Sequence, residues 1–288
     1  MSRRKDFRYF DRLRVRWAEV DMQKIVFNGH YLMYFDTAVA GYWRAMALPY
    51  QHTMEQLGGD FYVRKATLEY HASAHYDDQL EVGMRTARLG NSSMVLEGGV
   101  FLGEQLLVSG ELVYVFADPA TQTSRRIPDE LRRVLDDFEA GQSMVDVQLG
   151  TWNDLGREAS PIRHAVFVDE QRIPADLEWD DADGVAVHAV ARNRFGVPLA
   201  TGRMLEHVPG VAKIGRMAVT ASMRGSRVGS AVLEALTQAA RQRGDREVLL
   251  HAQATAIPFY LRAGFAPRGL PFEEAGISHI EMVKSVQG

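Results

Sequence analysis

Two stretches of the sequence set groups capable of chemistry at the mouth of a helix. In the first, Trp17-Ala-Glu-Val-Asp21-Met-Gln-Lys-Ile-Val-Phe-Asn28-Gly-His-Tyr31, a carboxylate closes a strand-like run and a short loop leads into a helical pattern. A helix N-terminus carries unpaired N–H groups and a partial positive charge, so the opening at Asn28 could hold a carbonyl oxygen that becomes an oxyanion. Asp21 opposite it could act as base or nucleophile, and together they suit acyl transfer to water. In the second stretch, Lys213–Leu233, a strand runs into a loop holding Arg224, Gly225 and Gly229, and helical spacing starts directly at Val228. Backbone N–H groups converge where such a loop enters its helix, and that geometry cradles a pyrophosphate. No Gly-Lys-Ser/Thr follows and Gly-x-Gly-x-x-Gly is absent, so neither a Walker loop nor a dinucleotide fingerprint is present.

The elements that must position these groups follow from periodicity. Residues 7–20 alternate, with Leu13, Val15 and Trp17 on one face and Arg12, Arg14 and Arg16 on the other, which predicts a half-buried strand. From Gly29 to Leu48 apolar residues recur at steps of three and four, predicting a helix of about five turns with Asn28 as its N-cap and Pro49 as its stop. Strands are expected at Phe61–Tyr70, Leu80–Leu89, Ser93–Leu102 and Leu106–Ala117, then an amphipathic piece, Pro128–Glu139, and a linker at Gly141-Gln-Ser143. Beyond it the pattern predicts a strand at Val145–Leu149, a helix around Pro161–Gln171, and strands at Val185–Arg192, Pro198–Leu205 and Val211–Val219. The helix Val228–Arg243, ended by Gly244, and a strand at Glu247–Ala252 complete it. The class is α+β, with domains over residues 1–140 and 144–288.

Asp21, Ile25-Val26, Gly29 and Tyr31, with Leu68-Glu-Tyr70, Gly90-Asn-Ser-Ser93 and Arg126-Ile-Pro128, make the first half similar to hotdog-fold acyl-CoA thioesterases of the 4-hydroxybenzoyl-CoA type. The resemblance implies a sheet wrapped round the long helix, dimerisation, and active sites at the dimer interface. Asp21 is then the catalytic carboxylate, the Asn28 backbone N–H polarises the thioester carbonyl, and Arg125 and Arg126 are candidates for the nucleotide phosphates. Lys24 stands where that family usually has glycine.

The second half resembles the GNAT N-acetyltransferases, through the loop Arg224-Gly225-Ser226-Arg227-Val228-Gly229-Ser230 and through His251-Ala-Gln-Ala-Thr-Ala-Ile-Pro-Phe-Tyr260-Leu-Arg-Ala-Gly-Phe265. Ile162–Gln171 and Ile277–Met282 are similar to its opening helix and final strand. Arg227 fills the place of the loop's middle glycine. The resemblance implies acetyl-CoA or acyl-CoA as cosubstrate on Arg224–Ser230. It also implies that the strand residues Met217, Ala218 and Val219 lie along the pantetheine and that the Tyr260 hydroxyl protonates the departing thiolate. The amine acceptor is not identified by the sequence, and Glu170, Glu206 and His251 all stand as candidates for its base.

Composition bounds the rest. The chain has 288 residues, 46% apolar and 24% charged, with a net charge of −4. No general field for nucleic acid follows, although Ser2–Arg16 is locally basic. No apolar run reaches the roughly 18 residues of a membrane span, so a cytoplasmic location is expected. With no cysteine, thiolate nucleophiles, thiolate metal sites and disulfides are excluded. His71 and His75 have metal-like spacing but sit in a strand context, and no metal is expected. The reading is a bifunctional enzyme, a thioesterase fused to an N-acyltransferase and forming a homo-oligomer through the first domain. Two alternatives stay open: one half as a CoA sensor or assembly module for the other, or a first half acting on a carrier-protein thioester.

Overall fold

In the computed structural model, which describes residues 3–287, the chain divides between Met144 and Val145 into two units, each built on its own sheet. The first contains β1 (Tyr9–Arg14), α1 (Asn28–Ala45), α2 (Tyr50–Leu57), β2 (Asp60–Tyr70), β3 (Gln79–Leu89), β4 (Ser93–Leu102), β5 (Gln105–Ala117) and α3 (Asp129–Glu139). The strands form one antiparallel sheet in the order β1-β3-β4-β5-β2. One stripe of α1, namely Tyr31, Tyr34, Phe35, Ala38, Val39, Tyr42 and Trp43, is buried, as its spacing of three and four dictates.

Phe35 is fully buried, and the sheet makes room for it with a pair of glycines directly opposite each other, Gly98 on β4 and Gly110 on β5. A Cβ on Gly110 would lie 2.8 Å from the Phe35 ring, and one on Gly98 would overlap it. The missing side chains form the hollow in which the helix is seated. At the far end α3 packs through Leu131, Val134 and Leu135, and its Glu139 carboxylate accepts from the Thr86 N–H (2.8 Å) and the Tyr42 hydroxyl.

Three expectations are corrected here. The first strand ends at Arg14 rather than running to residue 20, and Trp17 is 78% exposed instead of facing the core. The cause is Glu19, whose carboxylate accepts from the Arg16 N–H and Nε, both at 2.8 Å, closing a tight turn over Trp17–Glu19 that stops the alternation. The N-cap of α1 is Phe27, and Asn28 is the first helical residue. The helix expected around Pro161–Gln171 instead starts at Trp152.

The second unit has β6 (Val145–Gly150), α4 (Trp152–Arg163), which continues as a wider π-type turn to Glu170, and α5 (Ala175–Glu178). Then come β7 (Val187–Asn193), β8 (Pro198–Val208), β9 (Val211–Val219), α6 (Val228–Arg243), β10 (Glu247–Gln253), α7 (Ile257–Arg262), β11 (Ala266–Glu274) and β12 (Ile277–Ser285). The sheet order is β11-β12-β10-β9-β8-β7-β6, and among the described residues only β9 and β10 run parallel. Their pairing covers Val211–Ile214 against Glu247–Leu250 and then stops, although both strands continue. On its other edge β9 shifts register against β8 between Gly215 and Ala218, and Arg216 there adopts a positive φ of 52°. A bulge of this kind bends its strand, so β9 and β10 part as a fork.

Candidate active sites

Asp21 sits in a loop pinned at both ends. Val20 bridges Val26, the Val26 N–H reaches the Ala74 carbonyl at 2.9 Å, and the Phe27 N–H reaches the Glu19 carbonyl at 2.9 Å. The Glu19 carboxylate also accepts from the Tyr34 hydroxyl of α1 at 2.9 Å, so the loop is tied to the helix core. Inside the loop the Asp21 carboxylate accepts from the Gln23 N–H (2.7 Å), and the Lys24 N–H donates to the Asp21 carbonyl (2.9 Å). Lys24 holds φ 64°, the left-handed conformation that favours glycine, and its side chain is exposed. Asn28 and Gly29 are exposed at the other end of the loop, and their N–H groups precede any acceptor the helix itself can offer. The Tyr70 hydroxyl donates to the Asn28 carbonyl (3.2 Å), and the Tyr31 hydroxyl accepts from the Ala74 N–H (2.9 Å), fixing this first turn. A carboxylate and an open helix N-terminus thus share one braced loop. Arg125 and Arg126 are exposed and held by their own neighbours, the former by the Gly58 carbonyl and the latter by Asp129 at 2.6 Å.

In the second unit, Gly225 (φ 83°) and Arg227 (φ 67°) are both left-handed and turn the chain into α6. No side chain caps α6, and its first i to i−4 bond is from Ala231 to Arg227 (3.1 Å), leaving the N–H groups of Val228, Gly229 and Ser230 without a helical acceptor. A Cβ on Gly229 would lie 3.0 Å from Val219, so glycine keeps the helix start close to the end of β9. Arg224 forms a bidentate pair with Glu170 (2.7 and 2.6 Å), which holds the Glu170 carboxyl below the usual range.

The fork opens into a cleft of about 560 Å³ whose lining includes Met217, His251, Gln253, Tyr260, Glu274 and His279. Tyr260 is buried on α7 against Phe259 and Phe265, and burial pushes its hydroxyl up to about 12, so it stays protonated and able to donate. Met217 and Tyr260, far apart in sequence, thus meet in one cleft. Of the three candidate bases, His251 lines it, Glu170 is engaged by Arg224, and Glu206 is exposed on β8 and absent from the lining.

A buried ion-pair cluster that reaches the cleft through Glu178, Asp180, Arg203 and Arg216 was not read from the sequence. Arg163, fully buried on α4, pairs with Glu178 (2.5 Å) and Asp183 (2.8 Å) and lies against Trp152 and Trp179. Arg203 pairs with Asp183 (2.7 Å) and Asp180, and Arg216 with Glu178 (3.2 Å) and Asp180 (3.1 Å). The Arg203 guanidinium holds the Asp180 carboxyl below its ordinary range. Burial raises that of Asp183, but Arg163 and Arg203 outweigh it and the net direction is down. The available signal was the acidic run Asp176–Asp183, broken by Trp179.

A sheet seated round a buried helix, followed by a sheet forked beside an uncapped helix start, defines an acyl-CoA-using enzyme with two domains. Residues 23–109 match the thioesterase superfamily, and residues 186–286 belong to the acetyltransferase (GNAT) domain family. The chain is 34% identical over 129 residues to the uncharacterized N-acetyltransferase YjcF of Bacillus subtilis, covering 44% of this chain and 91% of that one. It is likewise 34% identical over 129 residues to protein ElaA of Escherichia coli, covering 43% and 84%. It is 27% identical over 124 residues to the acyl-CoA thioester hydrolase YbgC of Escherichia coli, covering 41% and 89%.

Proposed function

We propose that the chain carries two acyl-CoA chemistries, hydrolysis in the first unit and transfer to an amine in the second. The observation that carries this is an open helix N-terminus in each of two unrelated folds, with Asp21 in the loop that leads to the first and Tyr260 in the cleft lined by the strand that leads to the second. In the first unit the Asn28 N–H steadies the thioester oxygen as charge develops, and Asp21 activates water or attacks the carbonyl carbon. In the second, Arg224–Ser230 takes the pyrophosphate, and the open edge of β9 at Met217–Val219 pairs with the pantetheine as an added strand would. Tyr260 gives its proton to the departing thiolate.

The test is thiol release from a panel of acyl-CoAs with and without an amine pool. Asp21→Asn should lower amine-independent release at least about 100-fold and leave the amine-dependent part intact. Ser230→Asp suits the helix dipole yet occupies the anion site, so it should do the reverse, lowering only amine-dependent release by about tenfold or more. If Asp21→Asn hydrolyses at the wild-type rate, the first assignment is wrong.

A further inference from the structure

Resting on the transfer reading above, we infer that His251 is the general base that deprotonates the acceptor amine and that Glu274 is its positioning residue. His251 is the first residue of β10 beyond Leu250, where pairing with β9 ends, so its side chain stands at the crotch of the fork. It lines the same cleft as Met217 and Tyr260. Its Nδ1 lies 3.1 Å from a Glu274 carboxylate oxygen, and the Phe272 ring meets its edge at 4.8 Å. A carboxylate only accepts, so Nδ1 carries the proton and Nε2 presents its lone pair. The same carboxylate steadies the imidazolium once Nε2 is protonated, which is the logic of a base held by an orienting acid.

The other groups facing the cleft serve less well. Asp180 and Glu178 are committed to arginines, and His279 is oriented by the Ile277 carbonyl, to which its Nδ1–H donates at 2.8 Å, while Glu274 acts on it through charge and accepts its hydrogen bond from His251. Lys213 lies on the neighbouring strand and is close enough to act on Glu274.

The acceptor is therefore an amine that arrives protonated. Its ammonium gives one proton to His251 Nε2, and the freed lone pair attacks the thioester carbon. As the C–S bond breaks, the thiolate takes the Tyr260 proton. The second proton on the new amide nitrogen restores the tyrosine, and the imidazolium releases its own to solvent.

The experiment measures amine-dependent kcat/KM against pH for the full chain and for His251→Gln, Glu274→Gln and Glu206→Gln, with acetyl-CoA affinity measured by calorimetry as the check on folding. His251→Gln should lose about 100-fold and the acid limb of the profile while binding acetyl-CoA within about twofold of wild type. Glu274→Gln should lose about tenfold in kcat with the KM for the amine little changed, because it removes the group that orients the ring and leaves the base in place. Glu206→Gln should match wild type. Transfer retained by His251→Gln, or an undiminished kcat in Glu274→Gln, overturns the dyad alone. No amine-dependent transfer in the wild type overturns the transfer reading and the dyad with it.

Discussion

Lys24 and Arg227 occupy equivalent places in unrelated sites: each stands where the family it resembles uses glycine, and each is held at positive φ, 64° and 67°. The conformation, not the side chain, is the constant. A non-glycine residue there costs about 1 kcal/mol or somewhat more, part of which glycine gives back through its freer unfolded chain. Lys24→Gly should therefore stabilise the first unit by about 0.5 kcal/mol, read from the urea midpoint, and leave amine-independent thiol release unchanged, since the exposed Lys24 side chain is not needed by the loop. A fall in that release would mean that the ammonium assists Asp21. That one short loop joins Asp21 to the helix start at Asn28 was legible in the sequence, because the two lie only a few residues apart. The Arg163, Arg203 and Arg216 cluster was not, because its cations come from α4, β8 and β9 and no local pattern links them to Asp176–Asp183.

At the scale of elements, α1 is placed by what β4 and β5 lack. Gly98 and Gly110 face each other across the ladder beneath Phe35, so a methyl group on either must displace the ring or the sheet. Gly98→Ala and Gly110→Ala are each expected to cost about 1–3 kcal/mol in chemical denaturation. Phe35→Leu in the Gly98→Ala background should recover part of that loss, because the smaller side chain vacates the contact; no recovery would place the strain in the strand backbone instead. The strands themselves were readable to within a residue from Phe61 to Ala117, since turn residues punctuate each one. The end of β1 was not readable, because the alternation through Trp17 is overridden by the Arg16–Glu19 turn and by the Glu19–Tyr34 bond, which reaches to α1.

At the scale of the whole molecule, the first unit leaves an edge uncovered. β2 spans Asp60–Tyr70 at the margin of its sheet, with Val63 and Tyr70 more than half exposed and Arg64–Thr67 exposed between them. A long bare edge invites pairing, and a second copy of β2 running antiparallel would satisfy its outward N–H and C=O groups. Sedimentation should then give a mass of at least twice 32.3 kDa. Along an edge strand alternate N–H groups point outward, so Ala66→Pro and Thr67→Pro differ in kind: one removes an outward donor and the other a donor to β5. The first kind should yield a folded monomer and the second a destabilised sheet. If thioester hydrolysis requires the assembled pair, that folded monomer loses amine-independent release while amine-dependent release in the second unit persists. Two folded dimeric variants would instead show that β2 is not the joining edge.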